Sequence, residues 1–263
     1  MNRPFNWKVF FILWAAAIFG VVAVIPYSLE LQGNALENLD LPISLPVLVA
    51  IQVAQNALLF GLLIIVGLLF ASRIGLGAPI LEARVQGETA MDQIRAILPV
   101  SIIVGVIAAL LIIGLDLAIF QPALLRELGE SANFLSLDNA QPAAWKGFLA
   151  SFYGGIVEEI LLRLFLMSFL AWVGKFVSHT HDGFPTSAVL WIANILAALI
   201  FGLAHLPATA TLIPLTPLVI TRAILLNGLG GVAFGWLYWK RGLEAAMVAH
   251  FSADIVLHVL LAL

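Results

Sequence analysis

The stretch VFFILWAAAIFGVVAVIPYSL, Val9 to Leu29, runs for 21 residues without a charged side chain. A helix needs about 20 apolar residues to cross the hydrocarbon core of a bilayer. Arg3 and Lys8 precede the stretch as they would in a signal peptide, but it is long for the apolar region of one and is read as a retained first span. Further long apolar stretches, some with isolated charges inside them, fall at about 43–72, 96–118, 144–173, 186–206, 215–239 and 243–262. Together they predict an all-α, polytopic transmembrane helical bundle of about seven spans. Composition agrees, since 62% of residues are hydrophobic and only 10% are charged. Soluble domains carry about a quarter charged residues, so the solvent this surface suits is lipid. The alternating segments of about ten residues that mark a β-barrel are not found.

Loop charges set the expected orientation. With the N-terminus in the cytoplasm, Arg3, Lys8, Arg73, Arg84, Arg95, Lys175, Lys240 and Arg241 fall inside, and only Arg126 and Lys146 fall outside. That bias follows the positive-inside rule and predicts a cell-membrane protein with N-terminus in and C-terminus out. Acidic residues (Glu30, Glu37, Asp40, Asp116, Glu127, Glu130, Asp138) crowd the outer loops, but they weigh little in that rule. The second stretch is too long for one perpendicular helix, and Pro42 and Pro46 suggest that its regular helix begins after them. Of the two longest connections, 73–95 is read as an interfacial helix and 119–143 as an ordered outer loop. A net charge of −3 without a basic run argues against nucleic acid as a partner. The absence of cysteine excludes disulfides, thiolate metal sites and a cysteine nucleophile.

Charges at bilayer depth are costly and mark functional sites by default. They concentrate in the second half: Glu158, Glu159 and Arg163 in the fourth span, Arg222 in the sixth, Asp254 in the seventh, with His205, His250 and His258 beside them. Residues 1–143 hold about three spans with no interior charge, so 144–263 is where chemistry is expected. On a helix Glu159 and Arg163 share a face at i, i+4, while Glu158 is offset by about 100° and left for another partner. His250 and Asp254 form a second i, i+4 pair, and Phe201 and His205 a third. Each pattern has a bland reading: an ion pair fixing helix register, a satisfied core histidine, a polar helix contact. His258 is read as interfacial, and His179 and His181 as solvated. The glycine stripe Gly228, Gly231, Gly235 is read as a packing face.

Taken in order, Glu-Glu-x-x-x-Arg (158–163), Phe-x-x-x-His (201–205) and His-x-x-x-Asp (250–254) resemble the motifs of the CPBP family. These are the CAAX protease and bacteriocin-processing enzymes, also called the Abi family. The resemblance covers about residues 145–258 and includes GVAFGWLYWKRG at 231–242, similar to the family's glycine-containing helix and short basic turn. One departure is Leu162-Arg163-Leu164, where many members have Phe-Arg-Gly. The resemblance implies a catalytic transmembrane core at 144–263 and an endopeptidase that cleaves a membrane-associated or lipidated protein without a covalent intermediate. It implies Glu158 as general base on water, His205 orienting that water, and His250 and Asp254 stabilising the oxyanion. Glu159 and Arg163 would hold the first motif in place. For Asp254 two roles stay open, since it either donates as a carboxylic acid or orients His250.

Rival signatures are missing: no His-Glu-x-x-His, no Gly-x-Ser-Gly and no Gly-x-Gly-Asp. No cofactor is expected, with zinc as the alternative, because Glu158, His205, His250 and Asp254 are all acceptable ligands. A second alternative is a non-catalytic scaffold, immunity factor or transporter on the same fold. The expected partners are membrane lipid and a peptide or membrane-protein substrate. One conflict stands: by simple span counting His205 sits near the outer end of its helix and His250 near the inner end of its own, yet both must approach Glu158 at mid-depth.

Overall fold

The structure, a computed structural model, describes residues 5–31, 43–129 and 142–263. Arg3, Glu37, Asp40, Pro42, Glu130 and Asp138, each used in the topology reading, lie outside the described residues. Among the described residues six helices are long and apolar enough to cross a membrane. The continuous helical run 144–174 supplies a seventh, so the bundle matches the expected architecture. Lipid offers no hydrogen-bond partners, and a helix pairs the backbone groups of a crossing segment within itself.

Local signals set the boundaries. The first helix, α1 (Trp7–Ala23), starts where Asn6 Oδ1 accepts from the Lys8 and Val9 amides. It passes into α2 (Ile25–Leu31) at Val24, just before Pro26, which has no N–H to continue the ladder. Next come α3 (Leu45–Arg73), with Pro46 in its first turn, and the short α4 (Pro79–Val85), which realises the expected helix between 73 and 95. The fifth element, α5 (Met91–Leu128), is longer than its apolar stretch. Residues expected at the start of an outer loop continue the helix through a π-helical turn at Asp116–Phe120. Then follow α6 (144–174), α7 (Ser187–Ala204), α8 (Leu206–Ala210), α9 (Pro217–Arg241) and α10 (Leu243–Ala262). At the start of α9 the Thr216 hydroxyl accepts from the Val219 amide, and Gly242 at φ 94° ends the helix.

The outward faces are apolar: Leu58, Leu62, Ile103 and Leu110 are each more than half exposed. Such a surface belongs in lipid. Inside, α6 lies between α1, α3, α7 and α10, and small residues let the backbones meet. A side chain at Gly67 would lie 2.9 Å from the Leu164 carbonyl oxygen, and one at Gly231 would lie 2.8 Å from Ala198. Gly228, Gly231 and Gly235 all face α7, which is the packing role expected for that stripe.

For His250 the depth conflict has its answer at the start of α10. Leu243, Ala245 and Ala246 are fully buried, so this helix begins inside the protein and not at its surface. The Leu243 amide donates to the Gly77 carbonyl at 3.0 Å, and Glu244 Oε1 accepts from the Leu81 amide at 2.8 Å. The turn before α4 and α4 itself thus cap a sunken helix end that water would otherwise have to satisfy. Two turns further on, His250 is at the depth of Glu158.

Candidate active site

Glu158 and Glu159 come from the middle of α6, where the winding changes. Tyr153–Glu158 and Ile160–Met167 are π-helical, with hydrogen bonds that skip five residues instead of four. Each turn then takes in more residues than the α-helix's 3.6, and neighbouring side chains are separated by less than 100°. Glu158 finds a partner other than Arg163, as its offset predicts, but it is one that Glu159 shares. Both carboxylates converge on one imidazole: Glu159 Oε1 lies 2.8 Å from His250 Nδ1, and Glu158 Oε2 lies 3.6 Å from His250 Nε2.

Arg163, Glu159 and His250 form a chain. Glu159 Oε2 lies 3.3 Å from Arg163 Nε, both side chains being buried. Arg163 Nη2 donates to the Gly231 carbonyl of α9 at 2.8 Å, and its guanidinium faces the rings of Phe201 and Phe234 at 5.6 and 5.9 Å. Those contacts hold the charge in place where solvent does not reach. A carboxylate only accepts, so the 2.8 Å contact fixes His250 Nδ1 as the donor to Glu159. Phe234 stacks on the His250 ring at 4.7 Å and 25°, and Phe201 meets it edge-on at 5.7 Å. The ring has little freedom to turn. These two phenylalanines were not singled out as a clamp from the sequence, although Phe201 stood in a quoted motif.

With Nδ1 committed, Nε2 is the working atom. Glu158 lies on one side of it, and Asp254 Oδ1 lies 3.7 Å away on the next turn of α10. Gly154 of α6 passes close beneath: a side chain there would collide with Asp254 Oδ2 and lie 3.2 Å from Nε2. Glu158 is the most accessible of the three carboxylates, 21% exposed against 11% for Asp254 and none for Glu159.

His205 enters from the end of α7 and makes no direct hydrogen bond or ion pair with the other three. Its Nδ1 donates to the Phe201 carbonyl at 2.8 Å, and its ring packs on the Phe201 ring at 4.7 Å. Nε2 of His205 is left as the free nitrogen of a half-buried ring. His258 extends the α10 stripe and meets the Tyr27 hydroxyl through Nδ1 at 3.3 Å. His179 and His181 are exposed, as expected for solvated residues. Arg222 does not join the site. It pairs bidentately with Asp116 of α5, both bonds 2.7 Å.

A helical membrane bundle whose buried glutamates, histidines and arginine meet in one polar cluster has the makings of an intramembrane hydrolase. Residues 140–256 match a family model described as Type II CAAX prenyl endopeptidase Rce1-like. Over these residues, a little under half of the chain, the protein is similar to that endopeptidase family, and its helices are those of a multi-pass membrane protein. No match was found among curated proteins or solved structures.

Proposed function

We propose that the protein hydrolyses a peptide bond of a membrane-associated or lipidated protein with a water activated by Glu158, with 144–263 as the catalytic core. The observation that carries this reading is the 3.6 Å gap between Glu158 Oε2 and His250 Nε2, with the other face of His250 locked by Glu159 and Arg163. A water seated beside both atoms gives one proton to Glu158 and attacks the substrate carbonyl carbon. The C–O bond forms as the carbonyl π electrons move onto oxygen. His250 Nε2, when it carries a proton, donates to that oxyanion; such donors contribute about 10²–10³ in rate each. Collapse of the intermediate breaks the C–N bond, and Glu158 returns its proton to the leaving amine. His205 Nε2, with Nδ1 already donating to Phe201, is an acceptor suited to orienting the water.

The position of Asp254 favours one of its two readings. Orientation of His250 is supplied from the Nδ1 side by Glu159, whereas Asp254 lies on the Nε2 side with the reacting atoms. We therefore assign it to the oxyanion side. A reaction that needs no metal belongs to the same proposal, with zinc held by Glu158, His205, His250 and Asp254 as its alternative. The expected membrane orientation, N-terminus inside and C-terminus outside, belongs to the same proposal.

The test is cleavage of a prenylated C-terminal peptide by purified protein in lipid vesicles. Glu158→Gln is expected to lower the rate by about 10²–10⁴, the usual worth of a positioned base, while a strong chelator leaves the wild type active. Full activity in Glu158→Gln, or loss on chelation restored by zinc, would contradict the mechanism.

A further inference from the structure

A cavity of about 730 Å³ opens where five segments meet at the end of the bundle that carries Lys240 and Arg241. Its walls come from the end of α3, the turn into α4, the first turns of α5, Phe184 and the last residues of α9. Two cations sit on its rim, Lys240 and Arg241, both exposed, and neither has an acidic partner among the described residues. Lys240 instead rests on the Trp239 ring at 3.6 Å. Glu82, which also lines the cavity, has its Oε1 turned to the Ala78 amide. Ser72 and Gln93 supply neutral polar groups, and Ile80 and Ile97 an apolar wall. Paired unmatched cations above an apolar wall, at the end of a bundle of membrane-crossing helices, suit a ligand that is anionic at one end and aliphatic at the other.

We propose that this cavity binds an acidic phospholipid, its phosphate held by Lys240 and Arg241 and an acyl chain lying against Ile80 and Ile97. Basic pockets between membrane helices are a recurring mode of anionic headgroup recognition. The position gives the lipid a consequence for the whole bundle. The cavity borders Gly242, whose backbone packs under Pro79, and the Gly77 turn that caps the sunken start of α10. A lipid bridging α9, α4 and α5 there braces the end of the helix that carries His250 and Asp254. The proposal does not depend on the reaction assigned above, and its readout is binding and unfolding.

The test uses the full chain in neutral detergent, titrated with phosphatidylglycerol, phosphatidylcholine or inorganic phosphate, and read by native mass spectrometry and thermal unfolding. Phosphatidylglycerol is expected to bind one-to-one and raise the unfolding temperature, with phosphatidylcholine and free phosphate giving little. The double variant Lys240→Gln/Arg241→Gln should weaken that binding roughly 30-fold, two surface cations being removed. Both cations also lie in the last turn of α9, where they favour the helix dipole. A purely structural role would lower the unfolding temperature equally with and without lipid, and that result overturns the proposal. So would equal binding of both lipids, or a full effect from phosphate alone. Should the double variant fail to fold, Gln93→Glu, which places a negative charge in the cavity from an exposed position, is expected to reduce phosphatidylglycerol binding selectively; unchanged binding there also refutes it.

Discussion

Arg163 and Arg222 both stand inside the helical bundle, and they are held in opposite ways. Arg222 meets Asp116 in a bidentate pair, both bonds 2.7 Å, with each carboxylate oxygen matched to its own nitrogen. The pair is closed: charge and geometry are used up, and it ties α9 to the extended end of α5. Arg163 is more deeply buried, yet its Glu159 is shared, one oxygen toward the guanidinium and the other accepting from His250. Its remaining contacts are a carbonyl and two aromatic faces. An ion pair that shares its carboxylate transmits position to a third group, and the third group is the imidazole beside Glu158. The difference between a structural pair and a functional one lies in that sharing.

The comparison can be broken at either pair. Glu159→Ala leaves Arg163 buried without its carboxylate and frees His250 Nδ1. Removing one partner of a buried pair costs about 3–5 kcal/mol, so thermal unfolding in detergent should show a large loss of stability together with loss of cleavage. Glu159→Gln separates the two effects: it still accepts from His250 and is expected to recover part of the activity without the full stability. Asp116→Ala should cost less, about 1–3 kcal/mol, since the partners are partly exposed and solvent relieves the orphaned guanidinium. Activity per folded molecule is expected to stay near wild type, and a catalytic defect of the Glu159→Ala size at Asp116 would erase the distinction drawn here. The smallest effect is expected from Asp254→Asn, within about tenfold of wild-type cleavage, because a neutral amide still offers a donor beside Nε2. A severe loss would mean that a charged carboxylate is needed there.

Much of this was legible in the sequence. Seven long apolar stretches marked the crossing segments, because a helix needs about 20 such residues to cross a bilayer, and the ordered Glu158, His205 and His250 motifs carried the family resemblance. What the sequence did not show depends on winding and on long-range packing. The α-helical step of about 100° placed Glu158 and Glu159 on different faces, whereas the π-helical turns of α6 bring both to His250. Asp116 was counted with an outer loop, and its partner stands 106 residues away, beyond any helical spacing rule. The depth of His250 depends on α4 capping the buried start of α10, a contact between the turn at Gly77 and Leu243 that no local pattern encodes.

The central claim, that Glu158 is the base of a peptidase, is tested most directly in membranes from cells making wild-type, Glu158→Ala or Asp116→Asn protein at equal levels. Quantitative mapping of peptide termini should show at least one membrane-associated protein whose processed end is present with the wild type and with Asp116→Asn and absent with Glu158→Ala. If every terminus persists when residue 158 has lost its carboxylate, the protein acts without that base and the hydrolytic account fails.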